Sequence, residues 1–250
     1  MASRPPLLLV LSLCLAAMAW PARAVDGVAT AALLHKAALS TDMLTRESIF
    51  AHKLFRPEKP SGRVMILMHG SGGDETTLVS LASRIAPNAT LVGIRGRVVQ
   101  NGVKRWYRRL TPTEFDQADV RAEADAFVAF LREMAREQKL DLTAATFLGY
   151  SNGANLIAAL TQLHPGLVRE AVLLRPMPVL AETSTVDLSR TRVLTIAGEN
   201  DRLYFPYAAE LEARLRGCGA DVEARIIESG HGIGEEDARL VAEWMGTADK

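Results

Sequence analysis

Apolar residues recur along this chain in two rhythms. Short aliphatic runs at 64–68, 91–94, 146–150, 171–174, 192–197 and 222–227 each end in Gly or polar residues. Longer segments with helical spacing alternate with them. Within 113–140, Phe127, Phe130, Leu131 and Met134 fall at i, i+3, i+4 and i+7. Within 152–164 the stripe is Leu156, Leu160 and Leu163, and within 235–244 it is Ala238, Val241 and Ala242, continuing to Met245. This alternation predicts an α/β fold, a mostly parallel sheet with helices on both faces. The runs lack strict apolar/polar alternation, as strands do when both faces are covered. No internal repeat, low-complexity tract or linker interrupts them, so one domain over residues 48–250 is expected, preceded by a weakly patterned extension at 25–47.

The first 24 residues stand outside this pattern. Arg4 gives a positive start, an apolar run follows from Leu7 to Ala19, and Ala22-Arg23-Ala24 fits a small-x-small cleavage site. The run is too short for the roughly 20 residues a spanning helix needs. A cleavable secretory leader is expected, with a periplasmic or secreted product and no stable membrane anchor. Leu13 before Cys14 argues against a lipidated cysteine. Cleavage after Ala24 leaves Cys218 as the one cysteine, so no intramolecular disulfide can form.

Charge and composition narrow the function classes. The 250 residues carry 29 Lys+Arg and 29 Asp+Glu, and 48% are hydrophobic, which excludes a disordered chain. Loss of Arg4 and Arg23 with the leader leaves a slight acidic excess. That balance argues against nucleic-acid binding by bulk electrostatics. A monomer or a homodimer fits equally well.

In parallel α/β sheets the working residues sit just past the carboxyl ends of the strands. After the run 146–150 comes Gly149-Tyr150-Ser151-Asn152-Gly153, the G-x-S-x-G pattern between a strand and a helix. A serine on such a tight turn exposes its hydroxyl, and small flanking residues let the backbones pass. The N–H of Asn152, at the helix start, then points towards a developing oxyanion. After the run 64–68 comes His69-Gly70-Ser71-Gly72-Gly73-Asp74, a turn suited to supply the second donor, the N–H of Ser71. It lacks the Gly-Lys-Ser/Thr ending of a phosphate-binding loop. An acid and then a histidine should follow the serine. Asp201, in Gly198-Glu199-Asn200-Asp201, and His231, in Ser229-Gly230-His231-Gly232, have that order. Glu199 is the rival acid and Asp187 a weaker one. His69 reads as a structural part of its turn, His164 as a helix-end residue, and His35 and His52 as surface or packing residues. No Cys/His/Asp cluster has metal-ligand spacing, so neither metal nor other cofactor is expected.

With these motifs in hand, the chain resembles the phospholipase/carboxylesterase group of α/β-hydrolases, and most of all small bacterial esterases of the hydroxyquinol-inducible type. The stretches that carry the resemblance are Leu67 to Glu75, Arg95-Gly96 through Asn101-Gly102, Trp106-Tyr107-Arg108-Arg109, Gly149 to Asn155, and Gly230-His231. It spans residues 50–245. It implies an α/β-hydrolase fold and ester hydrolysis through an acyl-serine. Three features depart from the group: the leader, Arg175-Pro176-Met177 where His-Pro-Met is common, and the absence of Pro after Asp201.

Residues 95–109 hold Arg95, Arg97, Lys104, Arg105, Arg108 and Arg109 without an acid, interleaved with Trp106 and Tyr107. One reading is structural, with arginines bridging loops over packed aromatics. The other is an anion-recognising wall beside an apolar slot, in which Trp106, Tyr107, Arg108 and Met177 contact substrate. Only 17 residues separate the runs ending at Leu174 and starting at Arg192, too few for a large cap domain. An open pocket for a small ester follows. Thioesters, lysophospholipids and secreted feruloyl or polyhydroxyalkanoate substrates are the enzymatic alternatives. A non-catalytic binding protein would have lost a triad or oxyanion element, and none is missing.

Overall fold

The computed structural model describes residues 43–183 and 185–247. The leader, most of the 25–47 extension, Cys14 and His35 lie outside the described residues.

Seven strands form the main sheet: β2 (His52–Phe55), β3 (Val64–Met68), β4 (Thr90–Ile94), β7 (Thr146–Tyr150), β8 (Glu170–Leu174), β9 (Arg192–Gly198) and β10 (Asp221–Ile227). Their order is β10-β9-β8-β7-β3-β4-β2, parallel throughout except for the antiparallel edge strand β2. The continuous apolar runs are the strands buried on both faces. Every residue of β3 is buried, and alternate residues serve opposite cores: Val64, Ile66 and Met68 face one, Met65 and Leu67 the other. Strand β10 is an edge, and there exposed Arg225 pairs with half-buried Glu223 at the surface.

Among the described residues five helices cover the two faces: α1 (Val79–Ile85), α2 (Gln117–Gln138), α3 (Asn152–Leu163), α4 (Phe205–Gly217) and α5 (Glu235–Thr247). Helices α2, α3 and α4 bury Phe127, Leu131, Leu156, Leu160, Leu211 and Leu215 in one core. Helices α1 and α5 bury Leu81, Val241 and Trp244 in the other. The Asp116 carboxylate caps α2 by accepting the Asp119 N–H at 3.1 Å, and Lys139 ends it in the left-handed region at φ 53°.

A small antiparallel sheet, in the order β1-β5-β6, joins β1 (Leu44–Arg46), β5 (Val98–Gln100) and β6 (Val103–Arg105). The β5–β6 turn is Asn101-Gly102, both at positive φ, the conformation a two-residue hairpin demands. Strand β1 belongs to the part of the 25–47 extension that is described, and it packs on the fold. Glu47 N–H bonds Arg97 O, and Arg46 pairs with Asp119 and Glu123. Among the described residues no helix or strand lies between β8 and β9, so no large cap rises there. None of the described helices is long and apolar enough to cross a membrane.

Strand β3 sits between β4, its successor, and β7, where the chain has crossed to the other side. At such a reversal the loops leaving the two neighbouring strands diverge and leave a crevice. The turn after β3 and the turn after β7 flank it.

Candidate active site

Ser151 occupies the corner between β7 and α3 with φ 50° and ψ −114°, a strained conformation for a residue with a side chain. The corner is held from behind by Ser151 N–H donating to Leu174 O at 2.8 Å. The flanking glycines are needed for clearance. A Cβ on Gly149 would lie 2.6 Å from the Ala154 nitrogen, and one on Gly153 would lie 2.1 Å from Met68 O. So the strand, the helix and the neighbouring strand end meet backbone to backbone around the serine.

His231 Nε2 lies 2.9 Å from Ser151 Oγ, and His231 Nδ1 lies 2.5 Å from Asp201 Oδ2. Asp201 is buried, and its other oxygen accepts the N–H groups of Leu203 and Tyr204. Those bonds fix the carboxylate, which fixes the imidazole. Glu199 and Asp187, the rival acids, are both exposed and neither touches His231. The imidazole is also held by aromatic neighbours. The Tyr204 ring lies 4.7 Å from it and the Tyr150 ring 5.4 Å, and Tyr150 Oη donates to His231 O at 3.1 Å.

The two candidate oxyanion donors come from the two loops at the crevice. Asn152 is the first residue of α3, so its N–H has no carbonyl one turn back to bond. Across from it, Gly72 N–H bonds Lys104 O and Gly73 N–H bonds Gly70 O, while Ser71 N–H has no acceptor among the described residues. The Asn152 side chain is used separately: its Oδ1 accepts the Trp106 N–H at 2.8 Å.

His69 is buried and braces the first loop. Its Nδ1 lies 2.6 Å from Gly70 O and its Nε2 accepts the Gly96 N–H at 3.0 Å, which requires the neutral ring with the proton on Nδ1. Burial lowers its pKa below the ordinary 6.5, only partly offset by the Gly70 carbonyl. The unfolded chain therefore takes up a proton at this position near pH 6.5, before the folded chain does. Its contribution to stability is full above pH 6.5 and is lost as the pH falls towards the folded-state value. Urea unfolding between pH 8 and pH 5 is expected to show this decline in the wild type and a flatter profile in His69→Gln.

Trp106, Tyr107, Arg108 and Met177, the candidate substrate contacts, do not line the cleft over Ser151, which accords with the structural reading of residues 95–109 rather than the substrate-contact one. Trp106 and Tyr107 are fully buried. Trp106 donates through Nε1 to His69 O and packs edge-on against Phe127, so it supports the turn after β3 from beneath. Burial pushes the Tyr107 phenol far above its ordinary pKa, with the Asn155 and Asn152 side chains offsetting this in part. Arg108 donates its N–H to Asp119 and pairs with Asp116. Met177 is buried and lines a neighbouring cavity of about 290 Å³ with Phe115 and Tyr207. The physical reason is area: two large aromatic side chains beside the apolar face of α2 gain more from burial than from lining water.

The cleft over Ser151 has a volume of about 360 Å³ and is lined by Ser71, Arg109, Tyr150, Ser151, Asp201, Leu203, Tyr204 and His231. Arg109, Leu203 and Tyr204 are lining residues that the sequence reading did not select. A larger cavity, about 690 Å³, opens beside Leu140, Leu163 and His164. It holds no nucleophile–base pair, so size does not mark the reactive site here.

A further residue acts on the site from behind. Arg175 follows β8 at φ 53° and is fully buried with Asp237, Nη1 to Oδ1 at 2.7 Å. Nη1 also donates to Ile196 O at 3.3 Å, and the other donors hold the histidine loop: Nε to Gly230 O at 3.0 Å, and Nη2 to Gly232 O at 2.7 Å and Ser229 Oγ at 3.0 Å. The carbonyls of both residues flanking His231 are thus tied to one guanidinium.

No family model matches the chain. Individual proteins do. A carboxylesterase structure from Mesorhizobium loti is 50% identical, with TM-score 0.77, over 81% of this chain and 98% of its own. A Bacillus cereus carboxylesterase structure is 30% identical, with TM-score 0.77, over 81% and 96%. The Bacillus subtilis (strain 168) protein named "Putative hydrolase MhqD" is 32% identical over 185 residues, 74% of this chain and 92% of that one.

Proposed function

The chain belongs to the phospholipase/carboxylesterase family of α/β-hydrolases and is an esterase-type hydrolase, and on that premise we propose that it cleaves small carboxylic esters through an acyl-serine at Ser151. The observation that carries this reading is the unbroken hydrogen-bonded chain from Ser151 Oγ through the His231 imidazole to the Asp201 carboxylate. Ser151 Oγ attacks the ester carbonyl as His231 Nε2 takes its proton. Asp201 keeps the proton on Nδ1 and stabilises the imidazolium. The oxyanion receives the N–H groups of Ser71 and Asn152. Collapse expels the alcohol, which leaves with the proton from His231. Water then enters, gives a proton to His231 and attacks the acyl carbonyl, and the proton returns to Ser151 Oγ as the acid departs.

The small cleft and the short β8–β9 connection support short acyl chains. With its leader removed after Ala24, the enzyme works in the periplasm or outside the cell. The test is hydrolysis of p-nitrophenyl acetate, butyrate and octanoate by the mature protein. The expected result is clear turnover of the two short esters, with kcat/KM for octanoate lower by about tenfold or more. Turnover no faster than the uncatalysed rate overturns the esterase reading. A preference for octanoate overturns the short-chain reading alone.

A further inference from the structure

The arginines of residues 95–109 divide by what faces them. Arg97 pairs with Glu123, Arg95 with Glu47 and Glu75, and Arg108 with Asp116. Arg109 is different. It lines the Ser151 cleft, and among the described residues its guanidinium meets no carboxylate. Its side-chain partners are two neutral oxygens, Pro112 O at 2.6 Å and Tyr204 Oη. A guanidinium has five N–H donors, so donors remain.

The main chain presents this side chain on a fixed base. Gln100 brackets the Arg109 peptide, its Nε2 donating to Arg109 O at 2.7 Å and its Oε1 accepting Arg109 N–H at 3.0 Å. Arg109 also bridges to Phe115 across the loop. Tyr204 links the charge to the chemistry. Its hydroxyl oxygen accepts from Arg109, so its own proton is left to donate, and its ring lies 4.7 Å from the His231 ring. The one acid lining the cleft, Asp201, is buried and already bonded to His231 and two backbone N–H groups. At the oxyanion end, Arg105 donates to Ser71 Oγ at 2.9 Å and adds a second positive charge.

We propose that Arg109, with the Tyr204 hydroxyl, is a recognition site for a substrate carboxylate, so that the preferred esters carry a carboxylate a few bonds from the scissile carbonyl. This rests on the Ser151 esterase reading and names its substrate class. A planar guanidinium fork matches a carboxylate, and a cleft of about 360 Å³ keeps the two ends of the substrate close together. The carboxylate could sit on either side of the ester. A half-ester of a short dicarboxylic acid carries it on the acyl part, and an ester of a hydroxy acid carries it on the alcohol.

The experiment has one arm for each side. Mono-4-nitrophenyl glutarate is compared with its neutral methyl ester, and 4-carboxyphenyl butyrate with 4-carbamoylphenyl butyrate, each rate divided by its uncatalysed rate. The expected result is a preference for the anionic member of at least one pair by about ten- to a hundredfold in kcat/KM. The preference should shrink with added salt, collapse towards unity in Arg109→Gln and return in part in Arg109→Lys. An Arg109 that only steadies Tyr204 would lower both members of a pair equally and leave the ratio unchanged. A wild-type ratio near one in both arms, or a ratio that survives Arg109→Gln, overturns the proposal while leaving the esterase reading intact. The salt dependence is read on the wild type, so it decides even if the variant folds poorly. Absence of turnover on all four esters overturns both.

Discussion

Arg175→Met is expected to destabilise the protein by about 3–5 kcal/mol and to lower kcat as well. The stability loss comes from Asp237. Its carboxylate is buried, and its one ion-pair partner among the described residues is Arg175. Methionine fills much of the volume and leaves that charge without a counter-ion. The kinetic loss has a separate origin. Gly230 O, Gly232 O and Ser229 Oγ all lose the guanidinium as a donor, leaving Gly230 O with the Ser229 hydroxyl alone, and these groups border His231. A displacement of about 1 Å in a general base costs on the order of a hundredfold in rate. The double variant Arg175→Met/Asp237→Leu separates the two effects. Removing both charges should restore much of the stability, less the bond from Gly234 N–H to Asp237 at 2.8 Å. It should leave kcat low, because nothing replaces the ties to the histidine loop. Urea unfolding and p-nitrophenyl butyrate turnover on the two variants check this. A double variant that recovers activity together with stability would reduce Arg175 to a packing residue.

The residues that were legible in the sequence are those whose signal is local. Strands β3, β7, β8 and β9 are continuous apolar runs because both of their faces are covered. The serine turn is legible because strand, glycine, serine, glycine and helix are adjacent in the chain. Strand β2 was not legible, since it is a half-exposed edge of four residues without a clean period. The β5–β6 hairpin carries a local signal, Asn101-Gly102 between β-branched residues, that would have placed both strands. Helix α4 hides its short stripe, Ala208, Leu211 and Leu215, among charged residues.

The site's supporting contacts obey a different logic. Strand order brings the loops after β3 and β7 together, and no stretch of sequence states that order. The brace on His231 joins residue 175 to residues 229–237. The arginine cluster shows the same limit. Which arginine is neutralised depends on Glu47, Asp116 and Glu123, contributed by β1's flank and by α2 with its cap. Read locally, Trp106 and Tyr107 look as available for substrate as Arg109; only tertiary packing, with Phe50, His69 and Phe127 on Trp106 and Phe115 on Tyr107, buries the aromatic pair.

Ser151→Ala is expected to lower kcat/KM for p-nitrophenyl butyrate by roughly 10³-fold or more, with stability nearly unchanged. The size follows from the role. The proposed oxyanion amides and the cleft survive the substitution, so a residual rate over water remains, but the covalent step is lost. His231 and Asp201 keep their mutual bond, so little of the fold is disturbed. Alanine keeps the Cβ that makes φ 50° costly, so the substitution neither relieves nor adds to that strain. The direct measurement is made on wild type and Ser151→Ala together: turnover of p-nitrophenyl butyrate, with intact mass after exposure to a fluorophosphonate. The acyl-serine account predicts one adduct per wild-type chain, mapped to Ser151, with turnover abolished, and no adduct on the variant. Turnover that persists in Ser151→Ala, or an adduct on any other residue that tracks the loss of activity, would contradict it.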